Sequence, residues 1–178
     1  MDTFNIGNIE KFNNSSTLLD NSYIGKVIQE IVSLKSSNVE FDKANLLPYS
    51  IEDKLDINEI NSTYRLLILE TWARSYDSVE YSLKSISGID DSRIFDEIFV
   101  FYRNIFLQVL IELRIDCDNT PEIKKNSCKI FQTVNERVKQ NLFHGKEVKF
   151  KQEELDNYIF AITVYVFYRC KILIPITR

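Results

Sequence analysis

The stretch Asn61–Gly88, NSTYRLLILETWARSYDSVEYSLKSISG, decides the fold class. Its apolar line of Leu67, Ile68, Trp72, Val79, Leu83 and Ile86 advances mostly by three, four or seven residues, the repeat of a helix with one face against a core. Asn61 and Ser62 supply side-chain oxygens that can cap the first turn, and Gly88 is a natural stop. Beyond it, Asp90-Asp91-Ser92 offers the next N-cap. The helix that follows, Ile94 to Ile115, carries Phe95, Ile98, Phe99, Phe101, Phe106, Val109 and Leu110. Burial on more than one side is therefore expected there, at a bundle centre or a subunit interface.

Working outward, Ile24, Val27, Ile28, Ile31 and Val32 predict a helix from Asn21 to about Leu34, closed by Ser36-Ser37-Asn38 and followed by a polar connector containing Pro48. Residues 1–20, rich in Asn, Ser and Thr, read as a loosely ordered N-terminal arm. Thr120-Pro121 predicts a helix start with Thr120 as cap and Pro121 in the first turn, where its missing N–H costs nothing. The stripe Phe131, Val134, Val138, Leu142 carries that helix to Gly145. A last helix is expected from about Gln152 to Leu173. Its apolar run, Tyr158 to Ile174, is interrupted by Arg169 and Lys171 and holds four hydroxyl side chains, which reads as a buried helix and not a membrane span. The β-branched content of Ile162–Ile174 leaves a strand as the alternative. The expected architecture is all-α: an antiparallel four-helix bundle with an additional N-terminal helix, in a single domain over 21–178.

Composition agrees. A chain of 178 residues, 44% hydrophobic, holds material for one core, and four glycines with three prolines are few for an all-β fold. Cys117, Cys128 and Cys170 are an odd set without paired spacing, and no apolar leader precedes them, which suggests a reducing cytoplasm. The net charge of −4 argues against indiscriminate coating of nucleic acid. Yet Pro121–Lys151 holds eight basic residues against three glutamates, a net +5, which leaves −9 for the remainder. Such a stretch can build a phosphate-binding face, and it equally fits a solvated helix surface.

The informative string within it is Val134-Asn135-Glu136-Arg137-Val138-Lys139-Gln140-Asn141-Leu142-Phe143-His144-Gly145-Lys146. Arg137 and His144 are seven apart, within about 20° of two full helical turns at roughly 100° per residue, so both project from one side, with Asn141 between them. A histidine with a pKa of about 6.5 can take a proton from a ribose 2′-hydroxyl or give one to a leaving oxygen. An arginine offers a permanent charge and a planar donor fork to the phosphate. Together they suit metal-independent RNA cleavage through 2′-oxygen attack, leaving a 2′,3′-cyclic phosphate, a route closed to DNA. Lys139, Asn141 and Lys146 are candidate substrate-binding residues. His144 is the only histidine, so a reaction needing two imidazoles requires a second copy of the chain, brought in by a twofold axis. Taken alone, a single histidine near a helix end also fits a partner for the helix dipole.

Arg137-Val138-Lys139-Gln140-Asn141-Leu142-Phe143-His144-Gly145 resembles the signature of the HEPN family, an arginine followed four to six residues later by histidine, often within Asn-Leu-Phe-His-Gly. The helix Trp72–Lys84, with an aromatic–Arg–aromatic start and a Glu near its middle, is similar to the one that precedes the motif helix in that family. The resemblance covers about a third of the chain. It implies a four- or five-helix fold, a symmetric dimer and, in many members, endoribonuclease activity serving toxins and antiviral abortive infection, with Arg137 polarising the phosphate and His144 as acid–base group. This sequence departs from the pattern in carrying Lys139 where the arginine of the shorter spacing would stand, and Val138 where active members commonly have a polar residue. A lysine replaces charge but not the bidentate fork.

Two further readings stay open: a non-catalytic HEPN-like module that dimerises or binds a nucleotide or RNA with a partner protein such as an antitoxin, and a purely structural helical protein. No cofactor and no metal are expected, because one histidine and scattered cysteines form no zinc framework and no glycine-rich loop precedes a helix. RNA, a second copy of the chain and an antitoxin or regulatory protein are the partners implied, and no membrane.

Overall fold

The computed structural model describes residues 22–35, 49–88, 93–143, 151–169 and 171–176. The N-terminal arm, the Asp90–Ser92 cap and Gly145 lie outside them. Seven helices are present among the described residues: α1 (Tyr23–Lys35), α2 (Ile51–Ile57), α3 (Ser62–Ser87), α4 (Arg93–Leu113), α5 (Thr120–Lys125), α6 (Ser127–Phe143) and α7 (Gln152–Tyr168). There is no strand among them, so the protein is all-helical, and the β-branched end of the chain does not pair as a sheet.

Local chemistry sets most boundaries. The Ser22 hydroxyl accepts the Gly25 N–H at the start of α1. Asn61 accepts the Tyr64 N–H at the start of α3, and Gly88 ends that helix at φ 65°, a left-handed value glycine adopts without a Cβ penalty. Helix α2, which the connector reading missed, is only seven residues long, and its one core pair, Ile51 and Leu55, is too little to display a repeat. Its signal is the reciprocal pair Ser50/Asp53, in which each side chain accepts the other residue's backbone N–H.

Two expectations are corrected. The cap before Pro121 is Asn119, whose side chain accepts the Glu122 N–H, while Thr120 is already helical. The helix expected to run unbroken from there is two: Asn126 donates its side-chain amide to the Glu122 carbonyl and carboxylate, competes with the helical ladder, and separates α5 from α6.

Helix α7 is the core element. Every residue from Ala161 to Tyr168 is buried, so no side of the helix is left to solvent there. It packs against α1, α3 and α6, while α3 also meets α1 and α4, and α4 meets α6. One apolar cluster draws on all seven helices. By contrast α4 is buried on one side only, through Ile98, Tyr102, Ile105, Phe106, Val109 and Leu110. Val100, 55% exposed, and Ile111, 75% exposed, lie on its other side.

The final helix ends at Tyr168, short of the expected Leu173, because distant side chains capture the chain beyond it. Asn58, fully buried, accepts the Ile174 N–H at 2.8 Å and donates to the Ile174 carbonyl at 3.1 Å, pairing with one residue's backbone as a neighbouring strand would. The fully buried Lys54 ammonium donates to the same carbonyl at 2.5 Å and lies 5.1 Å from the Phe167 ring centre. Leu173 takes φ 59° to make this possible. Asn58→Ala removes a fully buried side chain that holds both backbone groups of Ile174 and the Lys54 carbonyl, and loss of such bonds costs roughly 1–3 kcal/mol. Loss of the exposed Asn61 cap costs about 1 kcal/mol. Chemical denaturation is therefore expected to show Asn58→Ala as the more destabilising of the two, and equal losses would contradict the clamp.

Candidate functional site

Ile130, Phe131, Val134 and Val138 recur along α6 at helical spacing and are all fully buried, which fixes how the helix rolls against the core. Residues 137 and 139 are about 200° apart on a helix, so one core-facing stripe forces them to opposite flanks. The Arg137 guanidinium turns to α4 and meets the Glu112 carboxylate at 2.8 Å. The Lys139 ammonium turns to α7 and meets Asp156 at 2.8 Å. Asn141, one turn beyond Arg137 and on its side, is exposed. His144 and Lys146 lie outside the described residues. Of the predicted site residues, then, Arg137 and Asn141 share a flank of α6, and Lys139 does not join them within one chain.

Among the described residues, four basic side chains of the stretch are paired with carboxylates. Lys124 pairs with Glu59, Lys125 with Glu122, Arg137 with Glu112 and Lys139 with Asp156, three of these carboxylates coming from outside the stretch. The rest of the acidic chain thus neutralises much of it locally.

On the side of α4 turned away from its buried face, Val100, Asn104, Leu107 and Ile111 follow one another at steps of four, three and four. All are exposed but the half-buried Leu107. The last of the four, Ile111, precedes Glu112, the partner of Arg137, and Glu112 projects about 100° further round the helix.

The Lys139 flank of α6 opens on a cleft of about 600 Å³ between α1, α3, α6 and α7. Asn135 and Lys139, one turn apart on α6, line it together with Lys35, Arg74 and Asp156. Sequence reading missed Asn135. Its side-chain oxygen accepts the Thr163 hydroxyl at 2.9 Å, and the Tyr102 hydroxyl stands 3.1 Å from Thr163. Tyr102 and Thr163 are fully buried, and burial holds the Tyr102 phenol far above its ordinary range, so it serves as a neutral hydrogen-bonding group. The relay ties α4 and α7 to α6 and anchors Asn135 from behind.

Glu80, the acidic residue near the middle of α3, is also structural. It is 5% exposed, accepts the Tyr165 hydroxyl, and pairs with Lys84 at 3.0 Å. Burial and the bond to Glu80 together push the Tyr165 phenol up.

Among the described residues, one group of side chains has the mutual spacing of metal ligands, the exposed Asp116, Cys117 and Asp118. The Asp118 carboxylate, with Asp116 adding to it, raises the Cys117 thiol above its ordinary range. No helix among the described residues is long and apolar enough to cross a membrane. No family model, curated protein or solved structure matches the chain.

Thr163→Val keeps the side-chain volume and removes the centre of the relay, leaving the Tyr102 hydroxyl buried without its partner. The expected loss is about 1–3 kcal/mol, or roughly 2–12 °C in melting temperature at 2–4 °C per kcal/mol for a chain of this size. An unchanged melting temperature would show that the relay does not hold α6.

Proposed function

We propose that this chain is a HEPN-like, metal-independent endoribonuclease acting on single-stranded RNA as a homodimer, in a toxin or phage-defence role. The observation that carries the reading is the shared flank of α6: Arg137 and Asn141 stand one turn apart on the line that continues towards position 144. The exposed Val100 and Ile111 of α4 are consistent with a homodimer, since such apolar surface is what a second copy would cover. In the reaction the 2′-oxygen attacks the adjacent phosphorus and gives its proton to one imidazole. The bond from phosphorus to the 5′-oxygen breaks as the second imidazole protonates the departing oxygen. Arg137 neutralises the charge gathering on the non-bridging oxygens.

Glu112 bears on this chemistry directly. With side-chain exposures of 28% for Arg137 and 49% for Glu112, the pair is partly solvated, and such pairs contribute about 0–1 kcal/mol. A phosphate can displace a partner held that weakly. The same contact favours a second reading, a non-catalytic RNA- or nucleotide-binding module acting with a partner protein, in which Arg137 stays occupied by Glu112.

Incubation of purified protein with single-stranded RNA in excess chelator separates the two. The nuclease reading expects products ending in 2′,3′-cyclic phosphate, loss of cleavage by roughly 10²–10⁴-fold in His144→Ala and by about 10²-fold or more in Arg137→Ala, and faster cleavage in Glu112→Gln. Salt-sensitive RNA retention that survives His144→Ala, with no product from the wild type, would replace it with the second reading.

A further inference from the structure

We propose that the cleft between α1, α3, α6 and α7 is a binding site for a small phosphate monoester carried on an apolar or aromatic body, separate from the Arg137 flank of α6. Its charge comes first. The charged residues lining it are Lys35, Arg74 and Lys139 against Asp156, three cations and one carboxylate, in a protein whose net charge is −4. A monoester near neutral pH carries about −1.5 to −2, which matches that excess where a carboxylate would leave half of it unmatched.

Two of the three cations, Arg74 and Lys35, are also held loosely enough to be recruited. Lys139 is committed to Asp156 at 2.8 Å. Arg74 has only its own helix: its Nε donates to the Glu70 carbonyl at 3.0 Å, and the Glu70 carboxylate stands 3.8 Å from its outer nitrogen, with the Arg74 side chain 71% exposed. That pair is a weak surface contact, so the guanidinium fork can turn to a phosphate at little cost. The Lys35 ammonium donates to the Tyr158 hydroxyl at 3.3 Å and sits 4.6 Å from that ring's centre, an arrangement that stations a cation at the cleft wall without neutralising it.

The remainder of the wall says what the phosphate is attached to. Ile31, Leu67 and Phe160 give apolar surface, while Asn135, fixed through Thr163, brings an amide. About 600 Å³ lies within the range of sites for small molecules and is far too little for a folded partner. Four helices bound the cleft and two polar contacts brace it, Asn135–Thr163 and Lys139–Asp156, so its shape exists before a ligand arrives.

Isothermal titration at low salt, with the full chain and four probes, tests this: adenosine monophosphate, uridine monophosphate, p-nitrophenyl phosphate and inorganic phosphate. At least one of the three organic monoesters is expected to bind saturably and more tightly than inorganic phosphate. Arg74→Gln and Lys35→Gln, both at exposed positions, are each expected to weaken it about tenfold, the scale of one lost charge-assisted hydrogen bond. Arg137→Ala is expected to leave the affinity unchanged. The proposal is overturned if none of the four probes saturates, if Arg74→Gln and Lys35→Gln both bind as the wild type does, or if Arg137→Ala abolishes binding. Since Arg137 does not line the cleft, RNA cleavage and monoester binding can fail independently of each other.

Discussion

A helix buried on every side has nowhere to put a polar group except against a neighbour, and α7 is such a helix from Ala161 to Tyr168. Its apolar side chains provide the bulk of the driving force, on the order of 1.5–3 kcal/mol for each large one fully buried, but that force has no direction. Direction comes from its hydroxyls and its last turn. Tyr158 meets Lys35 of α1, Thr163 meets Tyr102 of α4 and Asn135 of α6, and Tyr165 meets Glu80 of α3. The Tyr168 carbonyl accepts the Tyr49 hydroxyl ahead of α2, and the Tyr168 hydroxyl returns the bond to the Tyr49 carbonyl. Each neighbouring segment is thereby tied in register to one central rod, and an error in any register would bury an unpaired group at a cost comparable to a substantial part of a domain's net stability.

The register of α6 carries the functional consequence. With Asn135 held against Thr163 and Val134 and Val138 in the core, the two basic residues that follow must part company, Arg137 towards α4 and Lys139 towards the cleft. One helix therefore serves two surfaces. On one flank a guanidinium and an exposed amide stand one turn apart. The other flank gives a braced, cationic hollow inside a single chain.

How much of this the sequence discloses depends on how local the cause is. The spans of α1, α3 and α4 were legible to within a residue or two, since spacing and side-chain caps such as Asn61 act over one turn. Helix α2 escaped because seven residues cannot display a period, although Ser50 and Asp53 advertised its start. The break at Asn126 was missed because the stripe begins only at Phe131 and apolar spacing is blind to one side chain competing with the ladder. Nor could the end of α7 be read, because Asn58 and Lys54, more than a hundred residues away, decide it. The same division holds at the site. Helical arithmetic placed Arg137 and Asn141 together, but Lys139 belongs with Lys35, Arg74 and Asp156, which only the tertiary fold assembles.

The most direct test of this account is native-state hydrogen exchange followed by NMR at increasing sub-denaturing urea. If α7 is the rod from which the other helices hang, amides from Tyr158 to Tyr168 should be the slowest in the chain and exchange only by global unfolding, with those around Val134–Val138 of α6 merging into the same opening. Exchange of α7 through a local opening while α4 stays protected would contradict it, and with it the placement of Arg137 and Lys139 on separate flanks.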